Sequence, residues 1–259
     1  MPAPSRSPAW APPLLALQFL TRLPVPALSR LTAEQATDGL ARAMAWLPPV
    51  GTLVGVTTAG VFWAARTIWP APVAALLALM TEALLTGAFH EDAVADFCDA
   101  FGGVARGDEA RRIMRDSRIG SYGALGLGLS VALRWAAIVA LPPTVAAAAI
   151  VGAATLGRLA AVTLAALLAP AGEGAGMALR AGRVPGSRLL LALLLSIPGL
   201  MLVAVADPVA IGLAVAASAA LLLWLRAFLT RRIGGTTGDC LGFAVYMTQL
   251  VLLLAVAGG

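Results

Sequence analysis

Leu189-Leu-Leu-Ala-Leu-Leu-Leu-Ser-Ile-Pro-Gly-Leu-Met-Leu-Val-Ala-Val-Ala206 contains no charged side chain. A helix needs about 20 apolar residues to cross hydrocarbon about 30 Å thick, and this run is close to that length. Asp207-Pro208 stops it, because proline cannot continue a preceding helix, and a second apolar run begins at once. Reading outward from this pair, apolar length and breakers predict seven spans: 48–65, 73–89, 122–141, 144–168, 189–206, 208–229 and 241–257. Pro70 and Pro72, Pro142 and Pro143, and Asp207-Pro208 mark tight turns. Backbone in lipid has no water to bond to, so such spans must be helical. The predicted fold class is all-α: a polytopic integral membrane protein with about seven transmembrane helices. The lipid bilayer is its first partner.

Composition agrees. Of 259 residues, 60% are hydrophobic and 12% charged, about half the charged share of a soluble domain. The net charge of +5 comes from 18 basic residues, all of them arginine. They are spread among apolar spans and form no long basic face, which argues against nucleic acid as a partner. Their placement gives orientation instead. Arg6, Arg22, Arg30 and Arg42 precede the first span, and Arg106, Arg111, Arg112, Arg115 and Arg118 follow the second. Arg180, Arg183, Arg188, Arg231 and Arg232 fall on the same side, while Arg66 alone falls on the other. By the positive-inside rule the long connections are cytoplasmic, the N-terminus is inside and the C-terminus outside.

Residues 14–23 are too short to cross and lie between Pro12-Pro13 and Pro24. They read as an interfacial or re-entrant element within a 1–45 N-terminal segment. No small-residue cleavage site follows them, so no cleavable signal is expected. One membrane-embedded domain over 1–259 is expected, with an active-site loop over 90–121. Cys98 and Cys240 are too few for a disulfide scaffold or a zinc site. The sequence leaves the oligomeric state open.

The chemistry concentrates in Thr86-Gly-Ala-Phe-His90-Glu-Asp92-Ala-Val-Ala-Asp96-Phe-Cys-Asp99-Ala-Phe-Gly-Gly103. On a helix, Asp92, Asp96 and Asp99 fall within an arc of about 60°. Three carboxylates on one stripe repel each other unless a cation sits among them. Mg²⁺ suits, because it is held by one or two carboxylates together with substrate phosphates. Glu91 points to another face. His90, the single histidine, has three options: general base, hydrogen-bond partner of an aspartate, or polar helix-end residue. Cys98 is expected to pack between the phenylalanines.

Arg111, Arg115 and Arg118 repeat the i, i+4, i+7 spacing. They read either as a phosphate-binding stripe or as an amphipathic surface helix with internal pairs such as Asp108–Arg112. Arg231-Arg-Ile-Gly234-Gly235-Thr-Thr-Gly238-Asp239 opens the last span. Its glycines allow close approach of an anion to backbone N–H groups at a helix N-terminus, so Gly234, Gly235 and Gly238 are candidate substrate-binding positions. Asp239 is either a site residue or an N-cap. Glu82 and Arg158 lie inside spans, where ionisable groups are costly and are paired or functional. They pair with each other, or Arg158 reaches toward the substrate.

Together these residues resemble a known family, the adenosylcobinamide-GDP ribazoletransferases, or cobalamin synthases. The matching blocks are Leu17-Gln-Phe-Leu-Thr-Arg-Leu-Pro-Val-Pro26, Thr86-Gly-Ala-Phe-His-Glu-Asp92, Ala95-Asp-Phe-Cys-Asp99, Ile113-Met-Arg-Asp-Ser-Arg-Ile-Gly120 and Gly234-Gly-Thr-Thr-Gly-Asp239. The resemblance implies a Mg²⁺-dependent enzyme of the bacterial inner membrane, active late in adenosylcobalamin synthesis. Such enzymes join adenosylcobinamide-GDP to α-ribazole, or its 5′-phosphate, and release GMP. It further implies Asp92, Asp96 and Asp99 as the metal and diphosphate site, with Asp239 as a further member. His90 becomes a candidate base or positioning group, and Arg115 and Arg118 become phosphate contacts.

The chain departs from the family pattern at Ala93 and Ala100, where glycine is usual. It also has Tyr246 and Gln249 where a glutamate is common in the last helix. The spaced Asp-x-x-Asp-Gly-x-x-Ala-Arg order of CDP-alcohol phosphotransferases is absent. A transporter built on Glu82 and Arg158 is disfavoured, because no internal repeat is visible and the acidic stripe sits at a membrane end.

Overall fold

The computed structural model describes residues 6–171 and 182–259. Arg180, assigned above to an arginine-bearing connection, and residues 1–5 of the N-terminal segment lie outside the described residues. Apart from one isolated bridge between Pro170 and Thr236, the ordered backbone among the described residues is helical.

The described part of the N-terminal segment contains two α-helices, with a 3₁₀ turn over Pro26–Arg30 between them. Helix α1, Ala11–Leu20, starts earlier than the predicted 14–23 element, because proline fits the first helical turn, where its missing N–H has no partner to lose. Helix α2, Ala33–Ala43, was not expected from the pattern. Thr32 caps it and Gln35 bonds back to the Thr32 backbone, a reciprocal capping box. A 3₁₀ turn over Met44–Trp46 leads into α3, Leu47–Arg66.

The second predicted span, 73–89, is divided. Helix α4, Ala71–Thr86, ends at Gly87, and α5, Phe89–Phe101, leaves at 89°. Gly87 (φ 75°) and Ala88 (φ 57°) are both left-handed, a conformation that costs an L-residue roughly 1–2 kcal/mol. Two such residues in succession turn the chain, and the acidic motif therefore occupies its own helix.

Helix α6, Gly107–Met114, covers only part of the arginine-bearing connection, and α7 Ser121–Ala140, α8 Pro143–Leu167, α9 Gly186–Ala206, α10 Pro208–Ile233 and α11 Gly238–Ala257 follow the last five predicted spans to within a few residues. Among the described residues, six helices are long and apolar enough to cross a membrane, or seven if α4 and α5 form one bent span. Helix α8 is the axis, buried along most of its length and packed against α3, α9 and α11. Without a hydrophobic drive inside lipid, helices associate where small residues let backbones approach. A Cβ on Gly51 of α3 would lie 2.5 Å from the Ala154 carbonyl oxygen of α8. In contrast, α9 and α10 turn Leu190, Leu194, Val209 and Leu213 outward, the face expected toward lipid tails.

Candidate functional site

Helix α5 lies against α7 and α11, and its polar residues divide between two environments. Asp92 is exposed and Asp96 and Asp99 are half-buried, while His90 is buried. Asp96 carries the repulsion of Asp92, Asp239 and Asp99 together. Asp239, in the first turn of α11, feels the negative charge of Asp92 and the positive charge of Arg115. Folding thus brings the carboxylate predicted from the last constellation to the acidic helix.

The four aspartates do not make a closed chelate. Among the described residues, no three His, Cys, Asp or Glu side chains converge tightly enough to hold an ion on their own. Asp99 also has other work: its Oδ2 accepts the Gly120 N–H at 2.7 Å and its Oδ1 accepts the Gly123 N–H at 2.8 Å. A Cβ on Gly123 would fall 2.3 Å from that carboxylate, so the absence of a side chain makes the approach possible. Asp99 thereby ties the start of α7 to the acidic helix. Beside Asp99 the group holds Asp92, Asp96 and Asp239, hard oxygens under mutual repulsion. That set fits an ion held by one or two carboxylates and completed by water and phosphate oxygens, which is the habit of Mg²⁺.

The arginine stripe is not continuous. Helix α6 stops at Met114, and 115–120 is not helical, so Arg118 leaves the face shared by Arg111 and Arg115. The cause is local. Asp116 accepts the backbone N–H of Arg118 at 3.1 Å, a turn that aspartate side chains favour over helix. The Arg118 guanidinium then grips the same carboxylate at 3.0 and 2.7 Å, and holds it well below the usual carboxylate range, at about 2. Arg111, and not Arg112, pairs with Asp108, and it also donates to the Ile233 carbonyl at 3.1 Å. Arg115 is exposed beside the Asp239 field.

The glycine-rich loop is partly structural. Gly234 (φ 74°) ends α10, and Gly235 lies against Ala169 and Ala171, where Thr236 makes its bridge. Gly238 opens α11 and has free space at its Cα. The cap of α11 is Thr237, whose hydroxyl accepts the Cys240 N–H at 3.3 Å. Asp239 is therefore not needed as an N-cap. Arg232 donates to the Gly103 carbonyl at 2.9 Å and lies over the rings of Phe101 and Phe228, locking this loop to the end of α5. The Cys98 sulfur lies against α7, where a Cβ on Gly126 would come within 2.4 Å of it, and Phe97 stacks on Phe243 at 3.7 Å.

A second polar cluster is buried behind the aspartates. Glu82 pairs with Arg134 at 2.6 Å and with Arg158 at 3.5 Å. Arg158 is fully buried, so of its two sequence readings the structure brings forward the ion pair. His90 belongs to this interior as well: the charges that act on it are those of Arg158, Glu82 and Arg134. Arg134 was not singled out in the sequence, although an arginine inside the predicted span 122–141 is itself a signal.

Comparison with known proteins gives one consistent result. A family model described as cobalamin-5-phosphate synthase matches residues 12–257. The adenosylcobinamide-GDP ribazoletransferase of Azorhizobium caulinodans is 40% identical over 255 residues, 93% of each chain. That of Ralstonia nicotianae is 38% identical over 247 residues, 92% of each chain. That of Shewanella frigidimarina is 44% identical over 153 residues, spanning 58% of this chain and 57% of its own. No solved structure matches. With a family model across nearly the whole chain and two relatives matched over more than nine-tenths of their length, the chain belongs to the cobalamin-5-phosphate synthase family.

Proposed function

We propose that this chain is an adenosylcobinamide-GDP ribazoletransferase of the bacterial inner membrane, with its arginine-bearing loops in the cytoplasm. It joins adenosylcobinamide-GDP to α-ribazole, or α-ribazole 5′-phosphate, giving adenosylcobalamin, or its 5′-phosphate, and GMP. The observation that carries the proposal is the meeting of Asp92 and Asp96 with Asp239 and Arg115 at one place, from three separate segments. A diphosphate substrate needs both signs of charge there.

In this reading the ribazole hydroxyl attacks the cobinamide-side phosphorus. A new P–O bond forms, the bridging P–O bond to GMP breaks, and GMP leaves with the electron pair. Asp92, Asp96 and Asp239 would hold Mg²⁺, which when bound neutralises charge on the diphosphate and the leaving GMP. Arg115, close enough to act on Asp239, supplies positive charge to phosphate oxygens. The hydroxyl proton passes to water at the exposed end of the site, since His90 faces the interior. Asp99 holds the 115–120 segment in place through Gly120 and Gly123.

The test is GMP release by the purified full chain in detergent with adenosylcobinamide-GDP, α-ribazole and Mg²⁺. Mg²⁺-dependent GMP is expected; a chain that is well folded and makes none refutes the reaction. Asp96→Asn at normal yield is expected to lose about 100-fold or more in turnover, beyond the usual cost of losing an outer-shell partner.

A further inference from the structure

We infer that Arg134 is a positioning residue: it sets the register of α5 against α11, and through it the placing of Asp92 and Asp96 relative to Asp239. The inference rests on the divalent-metal reading proposed above. Arg134 is only 3% exposed and projects from α7 into the junction of three other helices. Its Nη2 donates to Glu82 of α4 at 2.6 Å and to Gln249 of α11 at 2.9 Å. Its Nη1 stands 3.8 Å from Glu91 of α5, and its guanidinium carbon lies 4.8 Å from the ring centre of Tyr246 of α11.

These contacts bear on the aspartates directly. Glu91 is the residue before Asp92, and successive residues on a helix are about 100° apart. Drawing Glu91 inward therefore rotates Asp92 outward. On the other side, Tyr246 and Gln249 lie along the same helix whose first turn carries Asp239. The two helices also touch closely: a Cβ on Gly242 would meet the Ala93 methyl at 2.5 Å. At such a separation a small rotation of α5 changes the spacing between the carboxylates.

Stability does not explain the cluster. Glu82 and Glu91 balance Arg134 and Arg158, and Gln249 accepts from Arg134 without adding charge. Yet Glu91 Oε2, Arg134 Nε, Arg158 Nε and Nη2, and Gln249 Nε2 lack a protein partner. Buried ion clusters are commonly no more stabilising than apolar packing of the same volume, and register is their best-attested use.

The experiment uses the full chain in detergent. Glu82→Gln/Arg134→Met removes one charge of each sign, and Glu91→Gln cuts a single arm. Mn²⁺ binding is followed by electron paramagnetic resonance, beside the Mg²⁺ dependence of GMP release and the melting temperature. Both variants are expected to fold, to weaken Mn²⁺ binding and to raise the half-saturating Mg²⁺ by about 10-fold or more. Turnover at saturating Mg²⁺ is expected to change less, and Arg134→Lys to recover part of the loss. Unchanged Mn²⁺ affinity in folded variants overturns the inference, as does failure of both variants to fold. A wild type that binds Mn²⁺ but makes no GMP refutes the proposed reaction and leaves the Mn²⁺ comparison to judge Arg134. A wild type that binds no Mn²⁺ overturns the positioning role itself.

Discussion

At the scale of single residues, Asp239 and Thr237 separate two roles that the sequence could not divide. Both types cap helices, and they lie two apart at the start of α11. Only the backbone path showed that the Thr237 hydroxyl takes the Cys240 N–H, leaving Asp239 to face Asp92. Thr237→Ala is expected to lower stability by about 1 kcal/mol with little change in the Mg²⁺ requirement. Asp239→Asn is expected to do the opposite, and melting curves beside GMP assays check the pair. Asp99 shows a similar limit. The stripe of Asp92, Asp96 and Asp99 was legible from spacing, but helical spacing says nothing of what packs opposite. With Gly120 and Gly123 both donating to it, Asp99→Ala is expected to lower stability by about 1–3 kcal/mol, read from the melting temperature.

At the scale of elements, apolar length and proline positions were enough to place most helices. The ends of α7, α8 and α9 lie within a few residues of the predicted spans, since charge and proline are the same signals that the bilayer reads. The bend between α4 and α5 was not legible. No proline marks it, and Ala88 gives no composition cue for a positive φ. Ala88→Gly is expected to raise stability by up to about 1 kcal/mol by relieving that conformation, and Ala88→Val to lower it. Melting of the purified variants checks both signs. The arginine stripe failed for the same kind of reason: periodicity alone assumed that a helix continues through Asp116, which prefers to bond its own neighbour's backbone.

At the scale of the molecule, short turns alternate along the chain with the arginine-bearing connections, and the proposed topology sets the two on opposite sides of the bilayer if α4 and α5 together cross once. Cysteines introduced at Thr67 and at Ser117, both exposed, are expected to react with an impermeant thiol reagent from opposite faces of intact cells. Labelling of both from one face would contradict the seven-crossing reading. The buried cluster has a consequence for the order of synthesis. Glu82 enters the membrane on α4, and its partner Arg134 follows 52 residues later. At ribosomal speeds of about 5–20 residues per second, that is a delay of roughly 3–10 s. Through this interval α4 holds a lone carboxylate, and such a group costs about 2.5–3.5 kcal/mol at the centre of an isolated helix. Helix α4 should therefore linger beside the insertion machinery until α7 emerges, and nascent chains halted before Arg134 should release it from lipid more readily than longer ones.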